Sequence, residues 1–521
     1  MQGKKSILSK TIQVGFFTLM SRFLGIVREY LQVRYIGPGL LSDAFVVAYR
    51  LPNSLRKIFA EGALSVAFIP SIVQLLRKGK RGELNALMTT AFFFFEGILL
   101  LLCGVLMICA PAVVKFMGPG FTAEQIIRGA NMVRILMPFI FFLSASSLLA
   151  GPLQAIHHFL VPAFSPVLLN IVYIIGLLVC MAYNLPIEVL CFFIMIGGAL
   201  QFVLHVGTYL FYNFNFDLVK SQSQQTWDHL YPIILKVLLC LPAMSVMEIN
   251  MIVDGQFASF LQPGSITLLY YAQRFMQIPL GVFAIAFSTV LLPYFSRIGD
   301  YAPKRLQFFL LEAAKFIFWV TIPIMIMMIF FSDKIFYTIF YSKKFTLAHV
   351  TESQFILISF VIGLFFLAMN RILLNFYYAR HVTWLPGIIS AVGAAINIFL
   401  DFIFISKFQA AGLALGTTLA GVVQTGLFVL FLHIYFGLTI YLKRFVQFTW
   451  RYTAQLAIVF SVFYLIYKFG IYVISYMPET FAHFFIDNIG FWLWVSPLAL
   501  AAFGVLYVTR KLFGIRLYFI G

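Results

Sequence analysis

Apolar residues run through this chain in blocks of about twenty or more, separated by short polar turns. About fourteen such blocks can be drawn, with approximate limits 12–34, 41–69, 87–116, 131–156, 162–183, 187–212, 230–258, 265–293, 309–332, 354–379, 384–405, 410–436, 446–475 and 489–512. At a rise of 1.5 Å per residue, each is long enough to cross a hydrocarbon layer roughly 30 Å thick. A backbone inside lipid has to satisfy its own hydrogen bonds, so the blocks predict helices. The first two are the least hydrophobic, and there the polar residues carry information.

Stepping ~100° per residue from Ser21 at zero, Thr11, Thr18, Arg22, Gly25, Arg28, Glu29 and Gln32 fall between about −20° and +100°. Phe23, Leu24, Ile26, Val27, Tyr30 and Leu31 fill the rest. The segment reads as a helix with one apolar face and one polar, cationic face. An amphipathic helix lying on the bilayer shows the same pattern; spanning is favoured because it places the later loop charges on consistent sides. The second block holds Asp43, Arg50, Arg56, Lys57 and Glu61 around Pro52. A charge at the membrane centre costs roughly 2.5–3.5 kcal/mol on insertion scales, so these residues line water or pair with one another. A structural ion-pair network of Arg56, Lys57 and Glu61 is the plainer alternative. In the eighth block Tyr270, Arg274 and Gln277 share a face, and Arg274 could simply pair with Asp254. The remaining buried charges (Glu96, Arg134, Lys236, Glu248, Glu312, Lys315, Arg371 and Asp401) read individually as interhelix pairs or snorkelling ends.

Composition removes whole classes of function. Hydrophobic residues make up 62% of the 521 positions and charged residues 10%. A soluble enzyme would have too little polar surface to cover such a core. The net charge of +18 does not point to nucleic acid, because no soluble basic domain carries it. It is mostly a topology signal. Lys4, Lys5, Lys10, Arg77, Lys78, Lys80, Arg81, Lys220, Arg297, Lys304, Arg305, Arg380, Lys443, Arg444, Arg510, Lys511 and Arg516 fall on one side when spans are counted. Only Arg34, Arg128, Lys334, Lys343, Lys344 and Lys407 fall on the other. The positive-inside rule then puts both termini in the cytoplasm. The N-terminus is not expected to be a cleaved signal peptide, since Arg22, Arg28 and Glu29 interrupt its apolar stretch. The cysteines (Cys103, Cys109, Cys180, Cys191 and Cys240) lie in apolar runs with no C-x-x-C, and the histidines show no metal spacing. No Walker loop, nucleophile elbow or other catalytic constellation appears, so no metal, no cofactor and no catalytic residue is expected.

An internal repeat is visible. Ala48-Tyr49-Arg50-Leu51 resembles Ala272-Gln273-Arg274-Phe275 at a shift of about 224 residues. At the same shift Ala155, His157 and Pro162 match Ala379, His381 and Pro386. The duplication predicts an all-α polytopic membrane protein. A six-helix lobe over 1–222 and another over 223–440 would be related by a pseudo-twofold along the membrane normal, with a cavity between them. Two further helices occupy 441–521. Arg22, Arg28, Arg56 and Arg274 would converge without enough carboxylates to neutralise them. Guanidinium forks suit phosphate oxygens, so the set points to a multiply charged anion such as a pyrophosphate.

The stretches S-R-F-L-G-I-V-R-E at 21–29, S-D-A-F at 42–45 and L-P-N-S-L-R-K-I-F-A-E-G-A-L-S-V-A-F-I-P at 51–70 resemble the MurJ (MviN) lipid II flippase family of the MOP transporter superfamily. Y-Y-A-Q-R at 270–274 and Tyr-Ala-Arg-His at 378–381 fit as well. The resemblance implies fourteen spans, with the terminal pair lining a groove for a polyprenyl tail. It implies transfer of lipid-linked peptidoglycan precursor from the inner to the outer leaflet of the bacterial cytoplasmic membrane by alternating access, without enzymatic activity. The expected partners are that undecaprenyl-diphosphate precursor, membrane lipids and other cell-wall synthesis proteins. The family's essential arginines fall on Arg22, Arg28, Arg56 and Arg274, its cavity carboxylates on Asp43 and Glu61, and its small-residue positions on Ser21 and Gly25. The chain departs at Glu29, where Asp is frequent, and at Gln273 and Gln277, where acids are often found; this implies a more cationic cavity. Membrane potential or an ion is the expected energy source. The competing readings are an exporter of another lipid-linked oligosaccharide and a MATE-like drug or cation antiporter. The antiporter would want a cavity dominated by carboxylates.

Overall fold

The computed structural model describes residues 2–58, 65–156, 158–217, 224–285, 287–288, 291, 295, 303–380, 382, 384–438 and 441–519. Helices, with no strand among the described residues, account for the regular structure. By length and composition, eight of the described helices can cross a membrane; they are nine if a pair bent by 44° counts as one span. The expected spans that miss this apolar criterion include those that carry charge, the first and second among them. The chain divides into two compact units, 1–267 and 268–521.

In the first unit, α1 (Gln2–Tyr35) runs unbroken through the predicted amphipathic segment. The second expected span is divided. Its first part is α2 (Leu40–Arg56), which contains Pro52 and passes into a π-helical turn at Lys57 and Ile58. Its second part is α3 (Ser65–Arg77). The third expected span, 87–116, starts earlier and stops sooner, as α4 (Arg81–Ile108), with the short α5 (Ala110–Met117) after it. Pro111 sits in the first turn of α5, where its missing N–H leaves no helical bond unmade. The fourth, expected at 131–156, also begins earlier. A capping box of Thr122 and Gln125 starts α6 (Ala123–Leu136), which continues as α7 (Pro138–Ala155). Then come α8 (Leu160–Ala182), α9 (Ile187–Phe211) and α10 (Gln224–Ala258).

Packing in this unit places polar groups as well as apolar ones. Helix α8 lies against both α1 and α9, and α7 against α9, α3 and α4. On the α4–α7 face, buried Glu96 accepts a hydrogen bond from Ser144 Oγ at 2.7 Å, and Cys103 Sγ reaches the Met137 carbonyl at 3.5 Å. The turn after α5 is fastened to the end of α10, where the Gly120 amide donates to Ser259 Oγ at 2.9 Å. A Cβ on Gly120 would sit 2.3 Å from the Ser259 carbonyl oxygen, which is backbone and cannot rotate away. Gly120→Ala is therefore expected to cost ~2 kcal/mol, within the usual range for overpacking, and to lower the melting temperature of the detergent-purified protein. A melting curve superimposable on wild type would contradict this close approach.

The second unit takes over within α11 (Ser265–Pro279), which runs on into a π-helical segment at Leu280–Ile285. It continues with α12 (Pro303–Phe330), α13 (Ser332–Phe340), and the bent pair α14 (Leu347–Val361) and α15 (Leu364–Ala379). The 53 residues of α16 (Trp384–Phe436) are two helices joined at a kink. Gln409, at φ 50° and ψ −132°, makes the break, between the expected spans 384–405 and 410–436. The last helices are α17 (Leu442–Ser475), the short α18 (Glu479–Asp487) and α19 (Phe491–Thr509).

Helix α12 packs on α15 and α17, and α17 on α19. Polar side chains fix these contacts inside an aromatic core. Tyr452 Oη donates to the Trp319 carbonyl at 2.6 Å, and Gln455 Nε2 donates to the Leu506 carbonyl at 2.8 Å and to Thr509 Oγ1 at 2.7 Å. The segment after α19 folds back onto α12. There the Tyr518 amide donates to Glu312 Oε2 at 3.1 Å, Lys315 pairs with Glu312 at 2.6 Å, and the Phe519 ring sits 5.1 Å from that of Phe287.

Candidate functional site

The cationic stripe of α1 divides between a neighbour and open space. Positions along one side of the stripe, between about −20° and +20° on the same wheel, meet α8. Asn170 Nδ2 donates to the Ser21 carbonyl at 3.1 Å and to Ser21 Oγ at 3.2 Å, while Arg28 Nη1 donates to Asn170 Oδ1 at 3.0 Å. Tyr173 Oη donates to Gln32 Oε1 at 3.0 Å, and its ring lies under the Arg28 guanidinium at 5.0 Å. Buried Glu29 lies 3.4 Å from Arg28 Nη2 and shares its charge. Arg28 is thus oriented by α8. At the stripe's edge Arg22 is exposed, and nothing lies within 4 Å of the point where a Gly25 Cβ would be.

Helix α2 carries the second group. Asp43 is buried, and its oxygens receive the first turn of α11: Gly264 N at 2.6 Å, Thr267 N at 2.9 Å and Thr267 Oγ1 at 2.7 Å. The opening N–H groups of a helix have no partner within it, and a carboxylate there also meets the positive end of the dipole. Arg50 Nη1 donates to the Met251 carbonyl at 2.9 Å. Glu248 of α10 accepts from Ser54 Oγ at 2.7 Å and from Lys57 Nζ at 2.9 Å. Arg56 is half-buried, and Glu61 lies outside the described residues. The carboxylate described beside Lys57 is accordingly Glu248.

In the second unit Arg274 is half-buried on α11, with Nη2 donating to Tyr270 Oη at 2.8 Å and the guanidinium 4.9 Å over the Tyr270 ring. That pairing fulfils the i, i+4 spacing read from the sequence. Gln273 is half-buried and Gln277 exposed. The same unit holds a small apolar cleft lined by Pro323, Ile326, Met327, Leu456, Phe460 and Ala499 among others from α12, α17 and α19. Among the described residues no group of three or more His, Cys, Asp or Glu could hold a metal ion.

Asn170, Tyr173 and Ser54 were not foreseen, and Glu248 only as one buried charge among several. Asn170 offered one signal, an amide inside the apolar run 160–182. Its partners lie 142 and 149 residues away, beyond any local pattern.

A family model described as "Lipid II flippase MurJ" matches residues 32–491. The chain belongs to this family. The probable lipid II flippase MurJ of Haemophilus influenzae is 30% identical over 420 residues, covering 77% of this chain and 82% of that protein. The lipid II flippase MurJ of Burkholderia cenocepacia is 28% identical, covering 78% and 79%. A solved lipid II flippase MurJ in an inward closed conformation superposes with a TM-score of 0.75 at 27% identity, covering 96% of this chain and 99% of that one. An inward-facing MATE transporter of the MOP superfamily matches with a TM-score of 0.68 at 13% identity, covering 82% and 98%. That second likeness concerns the fold alone. The all-helical fold and the MurJ resemblance are both upheld, and the family together with the apolar helices makes this a multi-pass membrane protein.

Proposed function

We propose that this protein moves lipid II from the inner to the outer leaflet of the bacterial cytoplasmic membrane by alternating access. Membership of the lipid II flippase MurJ family, matched over residues 32–491, carries the reading. We read the chain as crossing fourteen times with both termini in the cytoplasm, in keeping with its loop charges. Arg22, Arg28, Arg56 and Arg274 take the diphosphate headgroup, with guanidinium groups replacing water around the phosphate oxygens. The exposure of Arg22 beside the open space at Gly25 supports this, since a mid-span charge needs water or an anion next to it. The polyprenyl tail runs along the apolar cleft of α12, α17 and α19, whose lining suits hydrocarbon and offers nothing to a headgroup. Headgroup binding shifts the balance between inward- and outward-open states. A charge carried through the full membrane potential gains about 2.3 kcal/mol per 100 mV, so the potential is the proposed energy source.

The experiment is transfer of labelled lipid-linked disaccharide between the leaflets of reconstituted vesicles, with and without an imposed potential. No transfer above empty vesicles would overturn the reading. A MATE-like antiporter predicts drug sensitivity on depletion, whereas a flippase for wall precursor predicts lysis. Gly25→Trp is expected to fill the space beside Arg22, cutting transfer at least tenfold (about 1.4 kcal/mol) at a near wild-type melting temperature. Full transfer by that variant would move the headgroup away from α1.

A further inference from the structure

Three cations sit within eight residues of α2 and its π-helical turn: Arg50, Arg56 and Lys57. The acid on the same helix, Asp43, is engaged by the start of α11. Charge balance for Lys57 comes from α10, through Glu248. The two members of this pair differ sharply in exposure, at 41% for the Lys57 side chain and 9% for that of Glu248. An ammonium has three N–H donors and one goes to Glu248, so the open side of Lys57 can take a second anion. Glu248 has no such latitude. Buried, it holds Ser54 and Lys57, and loss of the cation would leave an uncompensated carboxylate away from water, which is costly.

Helix α2 meets α10 through polar side chains. The links are Arg50 to the Met251 carbonyl at 2.9 Å, Ser54 to Glu248 at 2.7 Å and Lys57 to Glu248 at 2.9 Å. Polar links of this kind part more readily than interdigitated apolar side chains, because their groups can be satisfied by water or by another anion.

We propose that Glu248 is a resident counter-anion of Lys57, displaced by a substrate phosphate, and that its displacement releases the α2–α10 seam. This rests on the diphosphate reading above. Glu248 is then a positioning residue: it keeps the seam shut until an anion of higher charge takes its cation, and the stranded carboxylate must follow water.

The test uses the full chain in detergent at low salt, with inorganic pyrophosphate as probe, calorimetry for affinity and hydrogen–deuterium exchange of residues 50–57 and 248–255 for the seam. In the wild type, pyrophosphate should bind and raise exchange in both segments. Glu248→Gln should bind pyrophosphate about tenfold more tightly and show raised exchange without it. Ser54→Ala, which loosens Glu248 while keeping every charge, should change both in the same direction by a smaller factor. Lys57→Gln should weaken binding about tenfold and abolish the exchange response. If the wild type binds pyrophosphate but neither Glu248→Gln nor Ser54→Ala binds it more tightly or exchanges faster, the pair is purely structural and the inference falls. If Glu248→Gln does not fold, Ser54→Ala decides alone. A wild type that does not bind pyrophosphate overturns the diphosphate reading along with it.

Discussion

Arg274→Ala should abolish leaflet transfer of the lipid-linked disaccharide while leaving the protein folded and inserted. The side chain is half-buried and meets Tyr270 of its own helix. Loss of the Tyr270 hydrogen bond and ring contact should cost folding ~1 kcal/mol. The transport cost should be far larger, since a guanidinium supplies two directed donors to a phosphate that water cannot replace in a confined site. Arg274→Lys is the informative companion. It keeps the charge and loses the fork, and should recover only part of the rate. Cells that grow normally on Arg274→Ala as their sole copy would remove this residue from the headgroup site.

Asp43→Ala should act through stability instead. The substitution takes the acceptor from three donors, Gly264 N, Thr267 N and Thr267 Oγ1, at a position that is 3% exposed. Charge-assisted bonds to backbone N–H groups are each worth ~1.5–3 kcal/mol, and donors left buried without an acceptor add their own penalty. A loss of ~3 kcal/mol is expected, a large part of the margin of an ordinary fold. Asp43→Asn should also be harmful, because in either orientation its amide nitrogen would present a donor where at least one donor already points. The melting temperature of the purified variants measures both. A fall of only a degree or two would show that the cap on α11 is dispensable.

Helices α1 and α2 differ in how much of them could be read from sequence. On α1 the polar stripe was legible because it is periodic: Ser21, Gly25, Arg28 and Gln32 recur at helical spacing in an otherwise apolar segment. Its partner was not, because Asn170 and Tyr173 satisfy that stripe from a different helix and carry no period of their own. On α2 the residues were legible and their pairings were not. Lys57 lies four positions from Glu61, yet the carboxylate described beside it belongs to Glu248, 191 residues away. Asp43 looked like a cavity acid; its described bonds are those of a cap, to an element 221 residues further on. Boundaries drifted where one local residue outweighed hydropathy, as with the Thr122 cap before α6 and Gln409 inside α16. Hydropathy reports which residues avoid water, whereas a turn is decided by one backbone conformation or one side-chain oxygen.

The return of residues 515–519 onto α12 has a bearing on biosynthesis. Glu312 meets the Tyr518 amide across 206 positions of chain, and the rings of Phe287 and Phe309 wait for Phe519. Until residue 519 has emerged from the ribosome, the face of α12 prepared for it stays in contact with lipid or with the insertion machinery. Fusion partners or short deletions near that point would therefore be felt by a helix laid down long before them.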